Sequence, residues 1–437
     1  MTSPLQKQAA FIGSFIHSNE NGELILIDRG AILVENGKIV DIITHAKSVD
    51  EIQNTGGNVT VLKPGQFLIP GLIDCHIHAA QLPNLGIGYD KELLDWLETY
   101  TFPLEKKFKD DNFAEEVFET VVKRTIMQGT TTACYFASLY TNACVILAQK
   151  VEELGQRGLI GKITMSNKRP DNYCESFDAS IKNVEAFVQS IVDINCPRVI
   201  PVITPRFALS CDMKIMKELG KIAQMRNLHV QTHISENKSE IKAVEAEFKD
   251  YPSYAAVYDA AGLLTNKTVL AHGVYLTDDE LVLLKERGTA VIHCPSSNTC
   301  LKSGLCDVQR LKNSGLKVGL GTDVAGGQST SIVDAMRAAL QVSSHLSMLK
   351  SDYRALNYKD VFYMATLGGA KALGMENEIG NFSVGKEFDA LIIDMHEDTR
   401  VLDVLITYTL AENLQRFIYS GDDRNIIKVY VNGQIIK

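Results

Sequence analysis

Residues 70–78 read Pro70-Gly71-Leu72-Ile73-Asp74-Cys75-His76-Ile77-His78, an apolar run that starts at a proline and ends with two histidines. A short apolar run bounded by turn-forming residues is typical of a buried strand. Residues two apart in a strand point to the same side, so we predict that His76 and His78 share a face. Two imidazoles on one face can bind one metal ion, although a lone pair of this kind also occurs as ordinary structural histidines.

Seven similar runs follow, and each is separated from the next by a longer segment with helical periodicity. Alternation of short β runs with helices indicates repeated βα units and a parallel sheet. The eight predicted strands are 71–78, 130–136, 159–165, 199–205, 229–233, 268–272, 290–293 and 317–323. Eight such units favour a closed barrel, so we predict an α/β fold with a (β/α)8 TIM-type barrel over residues 71–375.

The two ends of the chain have a different pattern, in which apolar and polar residues alternate. Asn36-Gly37 separates two such runs near the start and is typical of a tight hairpin, and residues 389–393 and 428–436 alternate in the same way. Each end alone is too small to bury a core. We therefore predict that residues 1–70 and 376–437 together form a small β-sandwich domain, packed closely against the barrel.

The overall composition excludes several classes of protein. The chain has 44 Lys and Arg against 53 Asp and Glu, a net charge of −9, which argues against binding to nucleic acid. No window approaches 18 uninterrupted apolar residues, and the first 15 residues lack the features of a secretory signal, so we expect no membrane association. Nine scattered cysteines without a Cys-x-x-Cys pair indicate reduced thiols and a cytoplasmic protein.

The ends of the predicted barrel strands carry the residues suited to chemistry. Functional groups of such barrels lie where the strands end, and there the sequence places His78, His233, His272, His293 and Asp323. Three neutral imidazoles and one carboxylate suit Zn²⁺, and a free position can hold a water with a pKa near about 7. We predict the ligands His76, His78, His233 and Asp323.

One metal ion per chain is expected rather than two. A barrel with two metals would need a bridging lysine on its fourth strand, but that run leads into Thr204-Pro205-Arg206. Arginine is a poor candidate for the carbamate that such a bridge requires. The predicted cofactor is therefore a single Zn²⁺.

These motifs in their order resemble the amidohydrolase superfamily, and the resemblance covers almost the whole chain. The matching stretches are 70–81 (PGLIDCHIHAAQ), 96–103 (WLETYTFP), 128–132 (QGTTT), 204–207 (TPRF), 233–237 (HISEN), 271–273 (AHG), 293–298 (HCPSSN), 319–323 (GLGTD) and 421–425 (GDDRN). Gln81 and the stretches 96–103 and 204–207 resemble the branch of that superfamily that deaminates guanine. The resemblance implies hydrolysis of guanine to xanthine and ammonia as a step of purine catabolism, and it implies a homodimer.

The resemblance also implies three roles in proton transfer. Glu236 matches the proton shuttle, although a solvated loop carboxylate is the alternative. Asp323 matches a metal ligand that also accepts a proton, the alternative being a helix cap. His272 matches a histidine that faces the water and the substrate, the alternative being a structural core residue. For His293 we expect a structural role.

Gln81 and Arg206 match the residues of that branch that bind the purine, and Phe207 and Trp96 are candidates to pack on its ring. An arginine donates hydrogen bonds to a ring carbonyl, and a glutamine amide both donates and accepts. A surface ion pair is the alternative for Arg206, and packing in the core is the alternative for Phe207 and Trp96.

Two rival functions remain at this point. One is another deaminase of the same superfamily, acting on cytosine, adenosine derivatives or triazines. The other is a scaffold protein that kept the fold and lost catalysis, which would show as missing metal ligands. All four predicted ligands are present in the sequence.

Overall fold

The computed structural model describes residues 8–53, 58–169, 171–396 and 401–437. Its strands are β1 (Gln8–Ser18), β2 (Leu24–Glu35), β3 (Lys38–Ile43), β4 (Asn58–Val61), β5 (Gln66–Pro70), β6 (Leu72–His78), β7 (Thr130–Phe136), β8 (Arg157–Thr164), β9 (Val199–Pro205), β10 (His229–Ile234), β11 (Thr268–His272), β12 (Ala290–His293), β13 (Lys317–Leu320), β14 (Ala390–Asp394), β15 (Ile426–Val431) and β16 (Gln434–Ile435). Its α-helices are α1 (Ala46–Gln53), α2 (Leu93–Trp96), α3 (Phe102–Glu105), α4 (Asp111–Met127), α5 (Thr141–Glu153), α6 (Phe177–Asp193), α7 (Met213–Met225), α8 (Lys238–Glu247), α9 (Tyr254–Ala260), α10 (Asp278–Arg287), α11 (Pro295–Cys300), α12 (Val308–Asn313), α13 (Ile332–Leu349), α14 (Tyr358–Ala365), α15 (Leu367–Ala372) and α16 (Leu410–Ser420).

Strands β6 to β13 form the predicted barrel. They are parallel and pair in sequence order from β6 to β13, which confirms the (β/α)8 architecture. The predicted bounds differ by a few residues, most clearly at the last strand, which ends at Leu320 rather than at Asp323. Asp323 has a φ of 48°, in the left-handed region, so the chain has left the extended conformation there.

The barrel closes through hydrogen bonds between β6 and the segment that follows β13. The Asp323 N–H donates to the His76 carbonyl at 2.9 Å, and the His78 N–H donates to the Val324 carbonyl at 3.1 Å. Deeper in the barrel, the Asp74 carboxylate accepts from the Thr322 N–H at 3.1 Å and from the Thr322 hydroxyl at 2.5 Å. This closure sets the two histidines of β6 beside Asp323.

The two ends of the chain form the predicted β domain. Strands from both ends pair in the order β16-β15-β14-β5-β1-β2-β3, with β4 paired to β1. Asn36 and Gly37 connect β2 to β3 with φ of 51° and 81°, the positive values that a tight type I′ hairpin requires. Phe11 stacks on Phe388 at 4.4 Å between ring centroids, so residues from opposite ends of the chain share one core.

The bounds of the two domains, 1–70 with 376–437 and 71–375, stay a prediction. Residues 1–7, 54–57 and 397–400 of the predicted β domain, and residue 170 of the predicted barrel, lie outside the described residues. Among the helices of the described ranges, none has the length and apolar character needed to cross a membrane. All nine cysteines carry free thiols.

A buried ion pair joins the barrel to the β domain. Arg157, at the start of β8, is 2% exposed, and its Nη2 lies 2.7 Å from Glu387 Oε2 and 3.0 Å from Asp389 Oδ2. Asp389 immediately precedes β14, and its carbonyl accepts the N–H of Gly71, just before β6. These contacts hold the two domains together where the chain crosses between them.

We expect Arg157→Leu to lower the free energy of unfolding by about 3–5 kcal/mol, because it leaves the Asp389 carboxylate buried without its cation. Urea unfolding followed by circular dichroism measures this change. Arg29→Ala is the matched control: Arg29 pairs with Asp50 at 2.5 Å, but with 55% of its side chain exposed, so its loss should cost at most about 1 kcal/mol. If the two substitutions lowered the free energy of unfolding equally, the buried ion pair of Arg157 would not stabilise the protein more than an exposed pair does.

Candidate metal centre and substrate pocket

Four side chains converge at the carboxyl ends of the barrel strands. The possible ligand atoms of His76, His78, His233 and Asp323 all lie within 4.8 Å of one another. His78 Nε2 and His233 Nε2 are 3.1 Å apart, and Asp323 Oδ1 lies 3.2 Å from His76 Nε2 and 3.4 Å from His78 Nε2. The structure therefore brings all four predicted ligands together.

Burial determines the charge of this cluster. It lowers the pKa of His76, His78 and His233, so these imidazoles are neutral and their nitrogens can bind a cation. Burial alone would raise the pKa of Asp323, but its contact with His76 and the other nearby histidines have the larger, opposite effect. The pKa of Asp323 is therefore lowered, and the group is a carboxylate. Three neutral nitrogens and one anionic oxygen are the donor set that Zn²⁺ prefers.

The hydrogen bonds around the cluster also fit a metal ion. His233 Nδ1 lies 2.6 Å from the Arg206 carbonyl and donates to it, which leaves the lone pair of Nε2 directed at the other ligands. His76 Nε2 is buried and, although Asp323 Oδ1 lies 3.2 Å away, it makes no hydrogen bond within the described ranges. A buried nitrogen without a partner is costly, and a cation among these four groups would remove that cost.

Glu236 and His272 lie beside the cluster. His272 Nε2 is 3.4 Å from Glu236 Oε2 and 3.7 Å from Asp323 Oδ2. The Ser303 hydroxyl donates to Glu236 Oε1 at 2.9 Å, while the Asn298 Oδ1 lies 2.9 Å from His272 Nδ1. Ser303 and Asn298 thus orient the carboxylate and the imidazole, and sequence reasoning assigned neither of them a role.

The environment shifts the pKa of both groups. Burial raises the pKa of Glu236 to about 7, against the opposing effect of His272. Burial lowers the pKa of His272, but the carboxylates of Glu236 and Asp323 raise it more, so its pKa lies above the ordinary value. Glu236 is 4% exposed, which contradicts the alternative of a solvated loop carboxylate.

A pocket opens beside these groups. It is lined by His78, Gln81, Leu93, Trp96, Leu97, Arg206, Phe207, His233, Glu236, Glu240, His272, Leu301, Asp323 and Gly326. The structure therefore brings Gln81, Arg206 and Phe207 to the same pocket as the candidate metal ligands. His293 is buried and is not among the lining residues, which agrees with the structural role expected for it.

Gln81 and Arg206 share a buried carboxylate that sequence reasoning missed. Glu105 is fully buried; its Oε1 accepts from Gln81 Nε2 at 3.0 Å and its Oε2 accepts from Arg206 Nη1 at 2.5 Å. Arg206 is thus half of an ion pair, as the alternative interpretation held, but the pair is buried rather than on the surface. The signal that could have found Glu105 is a lone acidic residue at the end of the apolar stretch Thr101-Phe102-Pro103-Leu104.

Comparison with known proteins places this site in a family. Residues 67–436 match the Amidohydrolase family. The guanine deaminase of Mus musculus is 44% identical over 433 residues, which are 97% of this chain and 95% of that protein. The guanine deaminase of Escherichia coli (strain K12) is 30% identical over 416 residues, 94% of this chain and 92% of that protein.

A solved structure has the same architecture. The crystal structure of guanine deaminase from C. acetobutylicum, with guanine bound in its active site, superposes with a TM-score of 0.91 at 34% identity. The match covers 98% of this chain and 100% of that one, so both the barrel and the β domain are included. The barrel, the cluster at its strand ends and these matches together show that the chain belongs to the amidohydrolase family.

Proposed function

We propose that this protein deaminates guanine, releasing xanthine and ammonia with the help of one Zn²⁺ per chain. The observation that carries the proposal is one pocket in which Arg206 and Gln81 lie beside His78, His233 and Asp323. His76 completes the ligand cluster with these three residues. The near-complete match to guanine deaminases supports it. Purine-binding groups and a candidate metal centre in the same cavity are the two parts that this reaction needs.

The four ligands are His76, His78, His233 and Asp323, and the donor set favours zinc over harder cations. A zinc ion held there would supply an activated water and would stabilise the negative charge that develops on the substrate. Arg206 occupies the position at which a second metal would need a bridging lysine. One ion per chain is therefore part of the proposal.

Glu236 carries the proton in this mechanism. It takes a proton from the attacking water and passes it to the purine ring, while the water oxygen bonds to C2. The proton of the new C2 hydroxyl then passes to the exocyclic amine, the bond between C2 and that amine breaks, and ammonia leaves as the C2 carbonyl of xanthine forms. A buried carboxylate beside the ligand cluster suits both steps, because it can accept a proton from the water and donate it to the ring.

His272 and Asp323 complete the proton-transfer groups. His272 lies within 4 Å of both carboxylates, at 3.4 Å from Glu236 and 3.7 Å from Asp323, so it stabilises their charges as the proton moves. Asp323 is both a ligand and a second proton acceptor. Asn298 keeps His272 Nε2 directed at this region by accepting from Nδ1.

Arg206, Gln81 and Phe207 hold the purine. Arg206 has five N–H donors, and its bond to Glu105 leaves others for the C6 carbonyl of guanine. Gln81 lines the cavity and can bond the neighbouring ring edge, while Phe207 offers an apolar wall for the ring. Adenine carries an amine at C6 and would place a donor against Arg206.

The rival functions are weaker for specific reasons. A scaffold without catalysis would not need four converging ligands with His76 Nε2 left unpartnered among the described residues. Deaminases of cytosine, adenosine derivatives or triazines do not need a buried cationic donor for a purine carbonyl. A panel of these amino-heterocycles, assayed for ammonia release, separates them from a guanine deaminase.

The proposal includes a cytoplasmic homodimer, which rests on the family resemblance. Light scattering coupled to size-exclusion chromatography measures the mass in solution. One chain has a mass of 48.2 kDa. A measured mass equal to that of one chain would contradict the dimer and leave the proposed chemistry intact.

We expect about one zinc per chain, lost when His76 and His78 are both changed to Ala, because this removes two of the four ligands. Elemental analysis of purified protein measures the metal, and His229→Ala is the control, since His229 bonds the Leu373 carbonyl outside the cluster. Two metals per chain, or full zinc content in the double variant, would contradict the proposed centre.

We expect Glu236→Gln to keep zinc and fold while guanine turnover falls by about 10²–10⁴-fold, because the amide cannot shuttle a proton. Ammonia release measures turnover, and Glu247→Gln, an exposed carboxylate on α8, is the matched control. If the folded, zinc-loaded Glu236→Gln protein turned over guanine at a near-normal rate, another group would have to carry the proton.

We expect guanine to be preferred over adenine by about 10⁴-fold or more, since a buried donor left without its acceptor is costly. Arg206→Lys keeps the charge beside Glu105 but loses the fork of donors, so kcat/KM for guanine should fall by about 10–10²-fold. Steady-state kinetics measure both, with exposed Arg226→Lys as the control. Comparable rates on the two purines would argue against the guanine-binding role of Arg206.

A further inference from the structure

We infer that Glu105 is the positioning residue of the purine pocket: it fixes the orientation of Gln81 and neutralises Arg206, so that the pocket selects a neutral 6-oxopurine. This inference rests on the proposed function, because it concerns the same pocket. It assigns a role to a residue that need not touch the substrate.

Glu105 lies at the end of α3 and receives three hydrogen bonds from three separate segments. Its Oε1 accepts from Gln81, and its Oε2 accepts from Arg206 and from the Tyr173 hydroxyl, the last at 3.0 Å. The carboxylate is fully buried, so water cannot replace these donors. One rigid acceptor thus ties together the two polar residues that would hold the purine.

The bond to Glu105 determines which end of the Gln81 amide is presented to a ligand. Because Nε2 donates to Glu105, Oε1 is turned the other way, where it accepts from the Ala325 N–H at 3.2 Å. A carbonyl oxygen has a second lone pair, and Gln81 lines the cavity. Gln81 Oε1 therefore keeps one lone pair that can accept from the N–H next to the carbonyl in a 6-oxopurine.

Glu105 also sets the charge of the pocket. Burial alone would lower the pKa of Arg206, but the Glu105 carboxylate raises it above its ordinary value and keeps the guanidinium charged. The same carboxylate cancels that charge, so the pair is neutral overall. A neutral pair that still presents N–H donors favours a neutral ligand, whereas an uncompensated guanidinium in a buried site would attract an anion.

Glu105→Gln separates these roles from simple packing, because the side chain keeps its shape. Its amide has one acceptor oxygen and one NH₂ group, and the NH₂ group cannot accept from Gln81 or from Arg206. One of the two must lose its acceptor, and Arg206 loses its compensating charge in either orientation. We expect KM for guanine to rise by about tenfold or more, with a smaller change in kcat and unchanged zinc.

Ligand binding gives a readout that a structural role would not move. Isothermal calorimetry at mildly alkaline pH compares hypoxanthine, which is neutral there, with xanthine, a large part of which is then an anion. Wild-type protein should prefer the neutral purine. In Glu105→Gln, hypoxanthine binding should weaken by about tenfold and the ratio of xanthine to hypoxanthine affinity should rise by about tenfold or more.

Two further variants keep the test decisive. Glu280→Gln is the matched control, a buried glutamate that accepts from the Ala255 and Thr277 N–H groups outside the pocket, and it should leave guanine kinetics and both affinities unchanged. Tyr173→Phe removes one donor from Glu105 and leaves its charge. Tyr173→Phe should raise KM for guanine a few-fold without altering the preference for neutral purines. If Glu105→Gln does not fold, Tyr173→Phe provides the test in its place.

The outcomes are distinguishable. A folded, zinc-loaded Glu105→Gln protein with wild-type KM and wild-type affinity ratio would overturn the inference while the proposed function stands. If Glu105→Gln does not fold, an unchanged KM in Tyr173→Phe would overturn it. Wild-type protein that neither deaminates guanine nor binds hypoxanthine would overturn the proposed function, and the inference with it.

Discussion

The site depends on the backbone hydrogen bonds that close the barrel at its carboxyl end, from the Asp323 N–H to the His76 carbonyl and from the His78 N–H to the Val324 carbonyl. Deeper in the barrel, the Asp74 carboxylate reinforces this closure by accepting hydrogen bonds from Thr322, which is 248 residues away in sequence. This closure sets the Asp323 carboxylate beside His76 and His78, at 3.2 and 3.4 Å from their Nε2 atoms. The candidate metal centre therefore exists only in the closed barrel, and fold and chemistry are coupled at this point.

The second constraint is that charges in the pocket are buried and must be compensated. Taking an isolated ion out of water costs several kcal/mol, so Arg206 requires Glu105, and the carboxylates of Glu236 and Asp323 require His272. Such a partner can also orient a neighbouring side chain, because a hydrogen bond is directional. Buried electrostatics thus produces both the pKa of about 7 at Glu236 and the fixed orientation of Gln81.

Local sequence patterns predicted the elements of this fold well. The barrel strands, the β domain from both chain ends and the Asn36-Gly37 hairpin all follow from patterns within about ten residues, because strand alternation and turn conformation are local properties. The same holds for His76, His78 and His233, which stand at strand ends. The end of β13 was predicted three residues too late, since a left-handed φ at Asp323 depends on its hydrogen bonds across the barrel and leaves no local pattern.

What the sequence by itself determined is the set of elements, the candidate ligands and the family they resemble. Only the tertiary structure decided which groups orient them: Glu105 behind Gln81 and Arg206, Asn298 behind His272, and Ser303 beside Glu236. Glu105 and Arg206 are 101 residues apart, and no periodicity links them. The physical reason is that a buried polar group needs a partner from whichever segment packs against it, and that choice is made by the packing of distant segments rather than by the local sequence.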